Sequence, residues 1–248
     1  IAAFSTAAGT ATRALGKASN LKDPAAFEEK PNFGRLKQSV CGSVFGRGMP
    51  FEEQCRTAAE LGFQGFDLQT PEKWPVLKKY GLISTMSFGG GGTIKEALNR
   101  KENHAGIEKS MRQLIDQCAE AGSPNLITFS GNRRGQPDEE GKENCVAGLK
   151  RVKRIAEDKG VTICLELLNS KVDHHDYQCD HSAWGIAVMK GVDSPRVKLL
   201  YDIYHMQIME GDVIRSIRDN IQYFGHFHTG GVPGRHELDD TQELQWRT

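Results

Sequence analysis

The chain has 248 residues, with 32 basic and 32 acidic side chains and a formal net charge of zero. This length suits one large domain, and the charge balance argues against a basic nucleic-acid-binding protein. No apolar run reaches the roughly 18 residues of a membrane-spanning helix. The six cysteines form no CxxC pair, which excludes a zinc ribbon and a redox motif of that type.

Residues 1–35 differ in composition from the rest of the chain. Residues 1–16 are rich in Ala and Thr with almost no charge, as in the later part of a secretory signal peptide, although a basic region is missing. Residues 17–35 are polar, contain Pro24 and Pro31, and are interpreted as a linker. We therefore predict one domain at residues 36–248, and either export through the leader or a cytoplasmic location.

From residue 36 onward, short apolar runs alternate with segments of helical periodicity. In chain order, the predicted elements are strand Leu36–Cys41, helix Phe51–Leu61, strand Gly65–Leu68, helix Pro71–Tyr80, strand Leu82–Phe88, helix Gly106–Ala121, strand Asn125–Phe129, helix Asn144–Lys159, strand Val161–Leu168, helix Ser182–Lys190, strand Val197–Ile203, helix Asp212–Asp219 and strand Ile221–His228. The glycine run Gly89–Gly92 is predicted to be a mobile loop beside the pocket.

Nearly continuous apolar strands that alternate with helices are typical of parallel strands buried on both faces. The number of units favours an α/β fold of the (β/α)₈ TIM-barrel type over a doubly wound sheet. The eighth βα unit is missing from this sequence, and a barrel without it keeps open sheet edges. We therefore expect the natural protein to extend about 25–40 residues beyond Thr248, roughly one βα unit.

Ionisable side chains occur where the predicted strands end, which is the edge of such a barrel where active sites form. Glu166, Asp202 and His228 lie at the ends of the fifth, sixth and seventh predicted strands. Ionisable groups inside apolar strands are costly unless they are paired or bound to a metal. Two carboxylates and a histidine, with a further carboxylate nearby, suit one divalent cation such as Mn²⁺, Mg²⁺ or Co²⁺.

Several of these features also have a purely structural interpretation. A single buried carboxylate at a strand end is more often a hydrogen-bonded structural group than a metal ligand. We expect at most one of His226 and His228 to face the barrel axis. The histidine-rich segment 172–181 is interpreted as a solvated polar loop, with a lid over the site as the alternative. His104 has no functional context and is predicted to lie at the surface.

Four segments, in their order and spacing, resemble the xylose-isomerase-like TIM-barrel superfamily, in the branch of hydroxypyruvate isomerases and ketose 3-epimerases. The segments are Leu165–Asn169, Tyr201–Gln207, Gly225–Gly230 and the stretch from Pro233–Glu237 to Glu243–Trp246. The resemblance extends over about residues 36–247. It implies a metal-dependent isomerase that acts on small α-hydroxycarbonyl compounds through an enediolate.

The resemblance also implies roles for single residues. The implied metal ligands are Glu166, Asp202, His228 and Glu243. Glu166 and Glu243 would also be the paired catalytic acid and base, and His205 and Arg235 would bind substrate oxygens. Glu237 is the alternative to Glu243, because the spacing between these two residues is longer than in the usual isomerase loop.

The sequence mixes features of the two branches. His228 is typical of the epimerases, whereas the segment Gly234–Glu237 resembles the isomerases. We therefore expect a hydroxypyruvate isomerase-like enzyme, with a ketose 3-epimerase as the alternative. Two alternatives belong to other classes: an endonuclease IV-like metal hydrolase and a non-catalytic sugar-binding barrel. The expected partner is a small sugar or hydroxy-keto acid rather than nucleic acid or a membrane, and barrels of this type commonly pair into homo-oligomers.

Overall fold

The computed structural model describes residues 36–246. The predicted leader and linker at residues 1–35 lie outside the described residues. Across the described range, seven parallel strands form one sheet in which each strand pairs with its neighbours in sequence. The predicted alternation of parallel strands and helices is confirmed. No helix in this part of the chain has the length and apolar character needed to cross a bilayer.

The predicted strands and helices occur in the predicted order. The strands are β1 (Ser39–Cys41), β2 (Gly65–Gln69), β3 (Ile83–Gly91), β4 (Asn125–Thr128), β5 (Thr162–Glu166), β6 (Val197–Asp202) and β7 (Phe224–His228). The helices are α1 (Phe51–Glu60), α2 (Trp74–Lys79), α3 (His104–Ala121), α4 (Asp138–Lys150), α5 (Lys153–Lys159), α6 (Ser182–Val192), α7 (Ile203–Met209) and α8 (Val213–Asn220).

The sheet curls around its own interior. Asp67 in β2 contacts His226 and His228 in β7, with Oδ2–Nε2 distances of 2.7 and 3.1 Å. In a flat sheet, strands that are five positions apart would be separated by about 24 Å. These contacts therefore require a strong, barrel-like curvature of the open sheet, and the predicted α/β barrel architecture is confirmed over the seven strands of residues 36–246.

Apolar side chains fill the space between the sheet and its helices. The larger core cluster includes Ile115 of α3 and Ile163 of β5, and a smaller cluster joins Val40 and Phe66 to α1 and α2. All five residues of β5 are buried, which requires cover on both faces of the sheet. This two-sided burial explains why the strands appear in the sequence as nearly continuous apolar runs.

The predicted helix Asn144–Lys159 begins earlier and is divided in two. Helix α4 follows Pro137, and three acidic side chains occupy its first turn, where they interact favourably with the helix dipole. The backbone N–H groups of Arg151 and Val152 bond to carbonyls three residues earlier, so the last turn tightens before α5 begins.

Two further local predictions are wrong. The glycine run is mostly strand, because β3 continues through Gly91. A Cβ atom on Gly91 would lie 2.3 Å from the carbonyl oxygen of Ile127, so the close approach of β3 to β4 requires glycine. His104 is 2% exposed and its Nε2 lies 2.8 Å from the carbonyl oxygen of Leu98, so it is a buried structural residue rather than a surface one.

Candidate active site

Three buried side chains meet at the carboxyl ends of β5, β6 and β7. Glu166, Asp202 and His228 are the last residues of these strands. Each offers one ligand atom, and the three atoms lie within 4.8 Å of one another. The Nδ1 atom of His228 is 3.6 Å from Oε1 of Glu166 and 3.8 Å from Oδ2 of Asp202. The structure thus brings together three of the four predicted metal ligands.

The chemistry of this group fits a divalent cation. Two carboxylate oxygens and one imidazole nitrogen are ligands that suit Mg²⁺, Mn²⁺ or Co²⁺. Asp202 is completely buried and Glu166 is 6% exposed, so their negative charges are costly without a positive partner. Within the described residues a second group also has metal-ligand spacing, formed by Cys41, Asp67 and the same His228.

The surroundings raise the pKa of both kinds of ligand, which favours the charged form of His228 and the neutral form of Asp202. Burial disfavours the charged form of His228, but hydrogen bonds with Asp67 and Glu166 and the nearby carboxylates outweigh burial and raise its pKa to about 10. Burial also raises the pKa of Asp202, although the positive charges of Arg235 and His228 oppose that rise. A metal ion that binds through Nδ1 of His228 must therefore displace a proton.

Asp202 lies at the junction of β6 and α7. Its Oδ1 accepts a hydrogen bond of 3.2 Å from the backbone N–H of His205, so Asp202 caps the start of α7. Helix α7 was not predicted, because the apolar run of the predicted strand continues through Ile203. The sharp turn brings the His205 side chain back to the site, where its Nε2 is 3.8 Å from Oδ2 of Asp202.

Hydrogen bonds hold His205 in one orientation. The Oδ1 atom of Asn169 accepts bonds from the backbone N–H groups of Val172 and Asp173, so the amide NH₂ of Asn169 faces Nδ1 of His205 at 2.7 Å. The other ring nitrogen, Nε2, lies 3.0 Å from Nη1 of Arg235, which also can only donate, so both ring nitrogens face hydrogen-bond donors. Burial, followed by the charges of neighbouring cationic groups, lowers the pKa of His205 to about 2. His205 is therefore a neutral imidazole at this site.

Arg235 contacts two of the other site residues. Its Nη2 donates to Oδ2 of Asp202 at 2.6 Å, and its Nη1 lies 3.0 Å from Nε2 of His205. The guanidinium also lies over the ring of Tyr204, 5.1 Å from the centroid. The φ angle of Arg235 is 57°, a backbone conformation that L-residues rarely adopt. The structure thus places both predicted substrate-binding residues beside Asp202.

A cavity of about 460 Å³ opens beside His205 and Arg235. Its remaining walls come from residues 172–174, from Tyr204 and Ile208 of α7, and from residues 232–234. The ring of His174 lies 5.2 Å from the ring of His205. Residues 171–176 are exposed apart from His174, whereas residues 177–180 are buried. The prediction of a solvated loop at residues 172–181 therefore holds only for its first half, and His174 in that half contacts the site.

Glu243 does not join the three buried ligands. Its side chain is exposed in the segment that follows β7, and its backbone N–H bonds to the carbonyl of Val232 at 2.8 Å. The ligand group found among residues 36–246 contains the carboxylates of β5 and β6 and the histidine of β7, but not Glu243. Glu237, the alternative, is exposed as well. The ligand and acid/base roles of Glu243 stay predictions.

Asp67 was not predicted as a site residue, and the expectation that at most one of His226 and His228 faces the barrel axis is wrong. Side chains two positions apart in a strand point to the same side of the sheet. Both His226 and His228 accordingly face Asp67, which is 3% exposed. The signal that could have identified Asp67 is the one that identified Glu166: a single carboxylate within an apolar strand.

The end of β5 is fixed from behind by Tyr177. Its hydroxyl donates to the backbone carbonyl of Glu166 at 2.9 Å and accepts from the backbone N–H of Ser130 at 3.0 Å. Tyr177 is fully buried, and burial raises the pKa of its hydroxyl, so the hydroxyl keeps its proton. Through these two bonds, Tyr177 links the backbone of Glu166 to the backbone of Ser130, which lies just after β4.

Known proteins share this fold and parts of this sequence. A D-psicose 3-epimerase from Ruminiclostridium cellulolyticum is 37% identical over 97 residues, which cover 38% of this chain and 32% of that protein. A 2-oxo-tetronate isomerase from Cupriavidus necator is 38% identical over 81 residues, which cover 33% of this chain and 31% of that protein. The matched part of the chain spans about a third of the length of these curated relatives.

The similarity to a solved structure covers more of the chain. The structure described as AP endonuclease, family 2, from Brucella melitensis has a TM-score of 0.73 and 23% identity, and the match covers 86% of each chain. At this identity the likeness shows the fold. The family described as xylose isomerase-like TIM barrel matches residues 55–247, which include every predicted site residue. The chain therefore belongs to the family of xylose isomerase-like TIM barrels.

Proposed function

We propose that this protein is a metal-dependent isomerase of small α-hydroxycarbonyl compounds, with a reaction like that of hydroxypyruvate isomerases. The observation that carries the proposal is the convergence of three ligand atoms from Glu166, Asp202 and His228 within 4.8 Å. Two residues that can contact substrate oxygens, His205 and Arg235, lie beside this group. The isomerase and epimerase names of the relatives support the reaction class.

The cation, Mn²⁺, Mg²⁺ or Co²⁺, would be held by Glu166, Asp202 and His228, with Glu243 as the fourth ligand. When bound, it supplies Lewis-acid stabilisation of the negative charge that develops on substrate oxygens as a carbon-bound proton leaves.

Residues of the protein transfer the protons and bind the substrate. Glu166 removes the carbon-bound proton, and Glu243 returns a proton to the neighbouring carbon. The hydroxyl proton of the substrate moves to the former carbonyl oxygen, so the product has its carbonyl and hydroxyl groups exchanged. His205 contacts a substrate oxygen as a neutral imidazole, since its surroundings lower its pKa to about 2. Arg235 offers a planar pair of N–H donors that suits the carboxylate of a keto acid.

Ketose 3-epimerisation is the second candidate. It needs the same pair of glutamates, but the proton returns to the opposite face of the carbon that lost it. His228 and the 37% identity to a D-psicose 3-epimerase favour it. Arg235 favours the keto acid, because its planar guanidinium can offer two N–H donors to a carboxylate, which a neutral ketose lacks.

The two candidates are separated by a substrate panel. Purified protein with Mn²⁺ is incubated with hydroxypyruvate, four-carbon 2-oxo acids and a set of ketoses, and the products are identified by chromatography and mass spectrometry. We expect a keto acid to be isomerised and Glu166→Gln to lose the activity, while Glu139→Gln, a change of an exposed carboxylate, retains it. Conversion of ketoses alone would favour the epimerase, and full activity of Glu166→Gln would refute the proposed mechanism.

A further inference from the structure

The carboxylate of Asp67 is surrounded by hydrogen-bond donors. Its Oδ2 lies 2.7 Å from Nε2 of His226 and 3.1 Å from Nε2 of His228. Its Oδ1 accepts from the hydroxyl of Ser39 at 2.9 Å and from the hydroxyl of Thr85. A carboxylate has about four lone-pair positions, so these four donors satisfy it.

This arrangement decides which nitrogen of His228 carries a proton. An ionised carboxylate only accepts hydrogen bonds, so Nε2 of His228 must donate its proton to Asp67. The other ring nitrogen, Nδ1, faces Glu166 and Asp202 at 3.6 and 3.8 Å. In the neutral imidazole the lone pair is therefore on Nδ1 and points toward the two carboxylates.

We propose that Asp67 is a positioning residue that holds His228 in the tautomer and ring orientation required for ligation through Nδ1. The inference rests on the metal site of the proposed function. Histidines that bind metals commonly donate their second N–H to a carboxylate, which fixes the ring and makes the ligand more basic. Asp67 acts on the cation through His228 and does not bind it.

The group Cys41, Asp67 and His228 offers a different role for Asp67, as a ligand of a second metal ion. The hydrogen bonds argue against this role, because both oxygens of Asp67 already accept from side-chain donors.

Metal affinity tests the inference without measuring turnover. Mn²⁺ is titrated by calorimetry into the wild-type protein and three variants: Asp67→Asn, His226→Gln and Glu166→Gln. Loss of a carboxylate behind a metal-binding histidine weakens metal binding by about 10–100-fold, and we expect this of Asp67→Asn. His226→Gln is the matched control, since it removes a different donor from the same oxygen, and it should bind Mn²⁺ with nearly wild-type affinity.

The tautomer is measured directly by ¹⁵N NMR of histidine-labelled protein loaded with diamagnetic Zn²⁺. His228, assigned by its absence in His228→Gln, should show a protonated Nε2 and a metal-bound Nδ1. This measurement uses the wild-type protein and decides the question even if Asp67→Asn does not fold. A metal-bound Nε2 in His228 would overturn the inference.

Other outcomes separate this inference from the proposed function. If wild-type protein binds no metal, the proposed metal site itself is wrong, and the inference fails with it. If Glu166→Gln loses Mn²⁺ but Asp67→Asn keeps wild-type affinity, only the role of Asp67 is wrong. Equal losses of Mn²⁺ affinity in Asp67→Asn and His226→Gln would indicate a general effect on packing. Binding of two ions per chain, with one of them lost in Asp67→Asn, would show that Asp67 is a metal ligand.

Discussion

Arg235 forms an ion pair with Asp202, with 2.6 Å between Nη2 and Oδ2, and the Asp202 carboxylate is completely buried. The same carboxylate is a proposed metal ligand. A guanidinium and a divalent cation therefore compete for the negative charge of one side chain. Substrate binding offers Arg235 other oxygens to donate to, so the ion pair connects the metal site with the substrate cavity.

Removal of Arg235 should consequently separate metal binding from turnover. The Arg235 side chain is 42% exposed, and an ion pair of that kind is worth about 1 kcal/mol, or about fivefold in affinity. We expect Arg235→Ala to bind Mn²⁺ up to about fivefold more tightly while its KM for a keto acid rises. Calorimetry and steady-state kinetics measure the two effects. Weaker Mn²⁺ binding in Arg235→Ala would show that Arg235 supports the ligand set instead of competing with the cation.

Glu243 and Glu237 provide a matched pair for the fourth ligand. Both carboxylates are exposed in the segment after β7. We expect Glu243→Gln to weaken Mn²⁺ binding by at least about tenfold, as loss of a ligand or its close support does, and Glu237→Gln to have little effect. Calorimetric titration of both variants checks this. The reverse result would transfer the ligand role to Glu237.

Tyr177→Phe should lower the stability of the protein and remove a hydrogen bond that holds the backbone of Glu166. The substitution leaves the Glu166 carbonyl and the Ser130 N–H without their buried partner, at a cost of about 1–3 kcal/mol in the free energy of unfolding. The exposed hydroxyl of Tyr80 bonds to Glu52, so Tyr80→Phe removes the same atom at a site open to water. Urea unfolding compares the two variants. Equal stability of both would mean that the Tyr177 bonds contribute nothing net.

Asp180 should contribute a pH-dependent part of the stability. Burial favours its neutral form, but bonds from Arg133, Ser170 and His181 outweigh burial and hold its pKa below the ordinary value of 3.8. The contribution is therefore present above pH 3.8 and is lost as the pH falls through the lowered pKa.

Asp180→Asn should accordingly destabilise the protein at pH 7 by about 2 kcal/mol, and the difference from wild type should shrink in strong acid. Urea unfolding at several pH values measures it. Asp158→Asn, which alters a highly exposed carboxylate near Arg154, is the control and should change little. A difference that stays constant down to strong acid would show that the charge of Asp180 does not matter.

The sequence pattern predicts the order of strands and helices, and it also points to Glu166, Asp202 and His228. A carboxylate or histidine at the end of a run that is buried on both faces is conspicuous, as with Glu166 and Asp202. Asp67 was missed because its partners His226 and His228 lie about 160 residues away, and only the curvature of the sheet brings them together. The burial of His104 similarly depends on a carbonyl that the sequence pattern does not identify.

The central claim is that a cation at Glu166, Asp202 and His228 allows the protein to exchange a carbon-bound proton of an α-hydroxycarbonyl substrate. The most direct test measures deuterium incorporation into hydroxypyruvate in D₂O by mass spectrometry. The measurement is made with the metal bound, after the metal is removed by chelation, and again after Mn²⁺ is restored. We predict exchange that stops with chelation, returns with Mn²⁺ and is absent in Glu166→Gln. Exchange that continues in metal-free protein, or at the wild-type rate in Glu166→Gln, would contradict the account.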